Sequence, residues 1–451
     1  MKTITIIAVL VCCVLMFFIK RKYKIGILML STMLFTVVRL HLPFQSATSI
    51  IAAFFIISEI PHLKFLCSEA KGTIVWKLMG VAILMTIFTI IFSPHLSTFN
   101  EIRIFLQGYL FFYYFGLLYS FWCFKDEESI KPTLRITFVG ILILTFFGVI
   151  NYISQSADFV TAMESGWNNS YDSDIDIGDR YQLSDRFRVM SMFENPFDYG
   201  YICILVLILH IYGLTKKFEN KTFFGVVLVC SLFGIITCNT RTVILCTLIG
   251  VSVYMLLAFK TKKSIQIIFL SLFILPIAYQ TIQPVQDLVD KTLTVFDKNS
   301  DITGSSLEMR ELQYATVLYY IQDSPLFGRG YKFFNIDLGW GQGRKYLMDE
   351  RLEGLEGVVM SYLLERGIVG LILYLFFWIS LLVYMFKNRK MSRHLTALGI
   401  SLLAVYLSFA NMTGELLSVY PTLLILGFCI KNIEVKRKQA LTLKISSTNN
   451  N

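Results

Sequence analysis

Apolar stretches of about 15 to 30 residues, nearly free of charge, recur along almost the whole of this 451-residue chain. A hydrocarbon core roughly 30 Å thick asks for about 20 such residues per helix. The stretches fall at 3–19, 25–41, 46–60, 75–93, 103–123, 135–153, 197–214, 222–238, 241–259, 264–281, 357–386, 394–410 and 415–431. With 55% hydrophobic residues, 16% charged residues and a mean hydropathy of +0.62, the chain lacks the polar share that a soluble protein of this size carries. The expected fold is all-α: a polytopic membrane helical bundle of about 12–14 transmembrane helices. Segment 3–19 has the length of a signal-peptide core, but RKYK follows it where a small-residue cleavage site would stand, so it is read as a membrane helix.

Lysine and arginine sort the connections into two sets. Basic residues crowd alternate ones: 20–24, Lys64 and Lys71, Lys125 to Arg135, 216–221, 260–263, 387–393 and the tail from Lys431. Short basic connections stay in the cytoplasm, so the other set faces out. The resulting organisation is N-terminal transmembrane helices at 1–153, a first outer loop at 154–196, central helices at 197–281, a large outer loop with an amphipathic helix at 282–356, C-terminal helices at 357–431 and a cytoplasmic tail at 432–451. The formal charge of +10 is thereby a topology signal, and no nucleic-acid partner is needed to explain it. The partner it implies is the lipid bilayer.

All nine cysteines lie in or beside apolar segments, and the two outer loops have none. No disulfide framework or CxxC site is visible. Asp172, Asp174 and Asp176 in YDSDIDIGD lack the glycine and glutamate positions of a calcium loop, so no metal or cofactor is expected.

The chemistry sits in the outer loops. SSLE at 305–308 has the capping-box pattern. It predicts a helix from about Ser306 to Gln322, ended by Ser324-Pro325, with Leu307, Tyr314, Leu318 and Ile321 as its apolar stripe. Arg310 falls in its second turn and reads either as a surface arginine or as an anion ligand. PLFGRG at 325–330 follows, with Gly328 and Gly330 where backbone must approach a neighbour closely or take φ > 0. A new apolar helix then begins at EGVVMSYLLERGIVGLILYLFF, from Glu356. Arg241 stands at a turn between two apolar segments, where it either snorkels or meets an anion.

In this order the motifs resemble the signature half of the O-antigen ligase and polymerase family, of the Wzy and WaaL type. RVMSMFENPFDYG at 188–200 resembles its Arg then Asn-Pro segment, and CNTRTVILCTLIG at 238–250 its Ser/Thr-Arg turn opening a helix. The likeness covers about residues 186–386. Two departures stand out: Ser191 replaces a frequent glycine, and Glu356-Gly357 replaces a frequent His-Asn pair.

The resemblance implies a metal-independent, GT-C-like glycosyltransferase of the bacterial inner (cytoplasmic) membrane, its site facing the periplasm or exterior. It would move a glycan from undecaprenyl pyrophosphate to an acceptor hydroxyl. Arg188, Arg241 and Arg310 would bind the diphosphate, since the guanidinium fork grips phosphate bidentately and keeps its charge. Glu356 would take the part of the base, and Asn195, Pro196, Gly328 and Gly330 would support the site. The missing His-Asn pair favours a repeat-unit polymerase, with undecaprenyl-pyrophosphate-linked donor and acceptor and a chain-length regulator protein as partners. The alternatives are a polysaccharide ligase and a lipid-linked oligosaccharide flippase or other transporter; a transporter would show similar halves and charges at mid-membrane depth.

Overall fold

The computed structural model describes residues 2–35, 47–156, 187–259, 307–338, 349–352, 355, 357–414 and 419–448, and its regular structure is helical throughout. Seven of the described helices are long and apolar enough to cross a membrane, and the bent pair Phe99–Leu110 and Phe115–Cys123 makes an eighth if it is one span. Ile6–Phe18 and Lys221–Thr237 are shorter apolar helices. The expected span at 264–281, most of the first outer loop and Ser305 and Ser306 lie outside the described residues.

In chain order the helices used below are α1 (Lys2–Phe18), α2 (Arg21–Leu34), α3 (Ala47–Glu59), α4 (Leu63–Ala70), α5 (Ile74–Phe92), α6 (Phe99–Phe105), α7 (Phe115–Cys123), α8 (Lys131–Ser154), α9 (Pro196–Thr215), α10 (Lys221–Thr237), α11 (Arg241–Ala258), α12 (Leu307–Tyr320), α13 (Val358–Lys387), α14 (Arg393–Thr413) and α15 (Val419–Thr448). A π-helix over Leu106–Tyr114 joins α6 to α7. α9 and α14 are buried along most of their length and form the middle of the bundle. Peripheral helices turn apolar faces outward instead: Ile83, Leu84, Ile87 and Ile91 of α5 and Ile372, Phe376 and Ile379 of α13 are all exposed. That is the inverse of a soluble protein's surface and suits lipid.

The basic connections gather at one end. There Lys24 is buried against Glu59 at 2.7 Å, with Arg21 2.9 Å from the same carboxylate. Glu127 takes Lys216 at 2.6 Å and also pairs with Lys436, and Lys431 pairs with Glu69. These bonds dock the start of the tail: α15 runs on to Thr448, with Lys431 buried against Glu69, Asn432 buried on the Phe428 carbonyl of its own helix, and Glu434 buried under the Tyr384 hydroxyl, which donates to it at 2.8 Å.

Candidate active site

The opposite end carries the described parts of the long loops, and its construction begins with a broken helix. At about 1.5 Å per residue a 30-residue α13 would be about 45 Å long, well beyond the membrane core. It breaks at Gly367, whose φ of 64° and ψ of −167° are not helical. Tyr374 meets Tyr406 of α14 hydroxyl to hydroxyl at 3.2 Å, yet a side chain on Gly357 would lie 3.1 Å from the carbonyl oxygen of Asn411. The first interval spans about 25 Å of helix and the second about 8 Å. Val358–Arg366 must therefore fold across the end of the bundle, and the crossing itself starts at Ile368.

A break in a helix orphans carbonyls on one side and N–H groups on the other. The PLFGRG turn supplies both sets of partners. The N–H groups of Arg329 and Gly330 donate to the carbonyls of Leu364 and Glu365 at 2.8 and 2.9 Å. Those of Ile368 and Val369 donate to the carbonyls of Pro325 and Leu326 at 2.9 and 3.2 Å. The backbones come so close that a Cβ on Gly328, where φ is +74°, would sit 2.5 Å from the amide nitrogens of Arg366 and Gly367. Phe327 stacks on Phe92 at 4.0 Å and the Tyr331 N–H donates to Ser93 Oγ at 2.7 Å, which pins the turn to the end of α5.

The same splice buries a charge. Arg366, only 4% exposed, lies with its guanidinium 4.0 Å from the Tyr362 ring centre and 4.4 Å from that of Tyr109, and donates to the Tyr109 hydroxyl at 2.9 Å. Tyr109 in turn bonds Tyr362 at 2.6 Å, and Tyr114 meets Tyr362 at 3.2 Å. Two of these tyrosines ride on the π-helical turn, a form that often marks functional positions. Arg366 stands in the YLLERG stretch and has no role among the expected site residues. The signal was there: an arginine ten residues inside an apolar run half as long again as a span requires.

α12 spans Leu307–Tyr320, but its buried face differs from the expected stripe. Ile321 of that stripe is buried, but Tyr314 and Leu318 are 38% and 53% exposed, and Gln313, Thr316 and Val317 are buried instead. The reason is local: Val317 and Ile321 pack with Phe333, Leu338 and Leu352 of the loop and Leu364 of α13 into a small core. Tyr320 donates to Asp349 at 3.0 Å, and Arg351 holds the same carboxylate at 2.8 Å. That orientation leaves Arg310 half-buried, with Nη2 3.5 Å from the Met412 carbonyl at the end of α14.

Arg241 arrives at the same level by another route. Ser401 Oγ donates to the Gly250 carbonyl at 2.6 Å and Arg393 Nε to that of Leu257 at 2.6 Å, so α11 and α14 run antiparallel. Arg241 lies about 13 Å along α11 from Gly250, and Met412 about 16 Å along α14 from Ser401. Arg241 is the first residue of α11, after Asn239 at φ 51° has turned the chain out of α10. Next to this turn the Val189 N–H donates to the Thr237 carbonyl at 3.1 Å, and the charge of the adjacent Arg188 acts on Cys238. The three arginines therefore come to one end of the bundle, on three different elements.

The remaining site candidates separate into scaffold and unseen. Asn195 caps α9, its Oδ1 accepting the Asp198 N–H at 2.7 Å, and Pro196 fills the first turn. Ser191 takes φ 53°, a reason for glycine to be frequent there, and its hydroxyl donates to the Leu144 carbonyl at 2.6 Å. Arg329, within the turn, pairs with Asp323 at 2.8 Å. Glu356 and Asp172, Asp174 and Asp176 lie outside the described residues, although Gly357, next to Glu356, abuts Asn411 beside the Arg310 contact. No curated protein matches the chain. Residues 226–375, which carry Arg241, Arg310, the Pro325–Gly330 turn and the break at Gly367, match the family model described as O-antigen ligase, so this region is similar to the O-antigen ligase and polymerase family.

Proposed function

We propose that the protein polymerises lipid-linked oligosaccharide repeat units at the outer face of the bacterial cytoplasmic membrane. The observation that carries this reading is the gathering of Arg188, Arg241 and Arg310 at the end of the bundle opposite its basic connections. A lipid diphosphate bound there brings about two negative charges and gains more as its glycosyl bond breaks. Guanidinium groups near helix ends meet that charge without losing a proton. The basic connections would lie in the cytoplasm, leaving the arginine end outside.

In the reaction, an acceptor sugar hydroxyl forms a bond to the anomeric carbon of the donor glycan as the bond to the diphosphate oxygen breaks. The electron pair leaves with undecaprenyl pyrophosphate, and Glu356 takes the hydroxyl proton. Arg188, Arg241 and Arg310 hold the leaving group. A place for Glu356 beside Arg310 is supported by its neighbour Gly357, which rests on Asn411, and by Gly367, which is spliced to Leu326 and Gly328. Glutamate and glycine at 356–357, where ligases of this family often carry His-Asn, favour polymer growth over transfer to a terminal acceptor.

Surface-glycan gels of a deletion strain test this. A lost polymerase leaves single repeats on the acceptor, whereas a lost ligase leaves the acceptor bare. Complementation by Arg241→Ala or Arg310→Ala should restore protein but little polymer, with lysine rescuing in part because it brings charge without the fork. Full-length polymer from both alanine strains would reduce these arginines to membrane-edge anchors.

A further inference from the structure

At the basic end, where α11 and α13 finish and α14 starts, the surface opens into a cavity of about 370 Å³. Leu256, Leu257, Phe386 and Ile400 give it apolar walls. Arg389, Arg393 and Thr396 also line it. Thr396 is 2% exposed, and its Oγ1 has no hydrogen-bond partner among the described residues. Thr86, Thr89, Thr137 and Thr247 instead turn back on the carbonyl four residues earlier, at 2.7 to 2.9 Å. A buried hydroxyl that forgoes this bond is costly unless something else takes it.

The cations beside it have capacity to spare. Arg393 donates to the carbonyls of Leu257 and Phe259, which uses two of the five N–H groups a guanidinium offers. The Arg389 side chain is exposed and has no ion-pair or hydrogen-bond partner among the described residues. From Phe386 an exposed apolar ridge runs away from this end along α13 through Val383 and Ile379. Two guanidinium groups and a hydroxyl at the edge of the apolar belt, with a hydrophobic track leading toward its middle, match a lipid phosphate with its acyl chain.

We infer that this cavity binds an anionic phospholipid, its phosphate held by Arg389, Arg393 and Thr396 Oγ1 and one acyl chain laid along Phe386, Val383 and Ile379. A free phosphate would satisfy the polar groups and leave the apolar walls unused. The site lies at the end opposite the arginines proposed for catalysis and does not depend on that reading.

The test uses the full chain, purified in a neutral detergent and stripped of lipid, with native mass spectrometry following the addition of phosphatidylglycerol, phosphatidylcholine of the same acyl chains, or inorganic phosphate. Phosphatidylglycerol should be retained at concentrations about ten-fold or more below those needed for phosphatidylcholine, the effect of a hydrogen bond to a charged group. Arg389→Ala and Thr396→Val should each erase that preference without lowering the melting temperature of the lipid-free protein. If Thr396→Val does not fold, the exposed Arg389 carries the test alone. Equal retention of the two lipids, or a preference that survives in the folded variants, overturns the inference. So does saturable binding of inorganic phosphate that the variants abolish while lipid retention is unchanged.

Discussion

Replacing Gly328 by alanine puts a methyl group into the splice that mends α13. The new Cβ would lie 2.5 Å from the amide nitrogens of Arg366 and Gly367 and 2.6 Å from the carbonyl carbon of Glu365, all backbone atoms that no rotamer change can move. An alanine held at φ +74° costs about 1–2 kcal/mol by itself. To relieve the clash the turn must draw back, which takes the Arg329 and Gly330 N–H groups away from Leu364 and Glu365. Each buried carbonyl left unsatisfied costs about 1–3 kcal/mol, so the expected destabilisation is about 3–8 kcal/mol. That is a large part of the about 5–15 kcal/mol that keeps a typical protein folded. Gly225→Ala is the control, since nothing lies within 4 Å of its Cβ position on α10 and alanine should be neutral or stabilise by about 0.5–1 kcal/mol. Thermal unfolding of both variants in detergent, with polymer gels of the same strains, measures the difference. A Gly328→Ala protein that melts with the wild type and makes normal polymer would refute the splice as the element holding the site.

Glu356→Gln keeps the size of the side chain and removes the base, so it should shorten or abolish polymer at an unchanged protein level; wild-type polymer length would take Glu356 out of the mechanism. Tyr109→Phe should cost about 1.5–3 kcal/mol, because its hydroxyl bonds a charged guanidinium, and much less in an Arg366→Met background. Additive melting shifts in that double-mutant cycle would show that the two groups do not interact. The Asp349 carboxyl is held below its ordinary value, chiefly by the side-chain hydrogen bond from Arg351. Its contribution is thus complete above the unfolded value of about 3.9 and fades as the pH falls through the lower folded one. Hydrogen-exchange protection factors in peptides covering Tyr320 and Leu352, taken relative to the intrinsic rate at each pH, should therefore fall in acid in the wild type, and an Arg351→Ala protein should already show the lowered protection near neutral pH.

The apolar runs and the alternation of basic connections determined the membrane fold and gathered the charged connections at one end, because lipid and water separate those residues whatever the packing. The Pro325–Gly330 turn and the arginines at 188, 241 and 310 were also legible, as residue types tied to short motifs. Tertiary structure decided how they are used. Of the stripe expected on α12, Ile321 is buried but Tyr314 and Leu318 gave way to Gln313, Thr316 and Val317, because a helix buries the face its neighbours cover, and here the neighbours are Phe333 and Leu352 of its own loop and Leu364 of α13. Arg366 went unread because its partners Tyr109 and Tyr362 are 257 and 4 residues away, and only the break at Gly367 brings the ring of the first to the turn of the second. Helical periodicity carries no information about a break whose carbonyls and N–H groups are satisfied by a turn forty residues upstream. Such a break is stable only once that turn has docked.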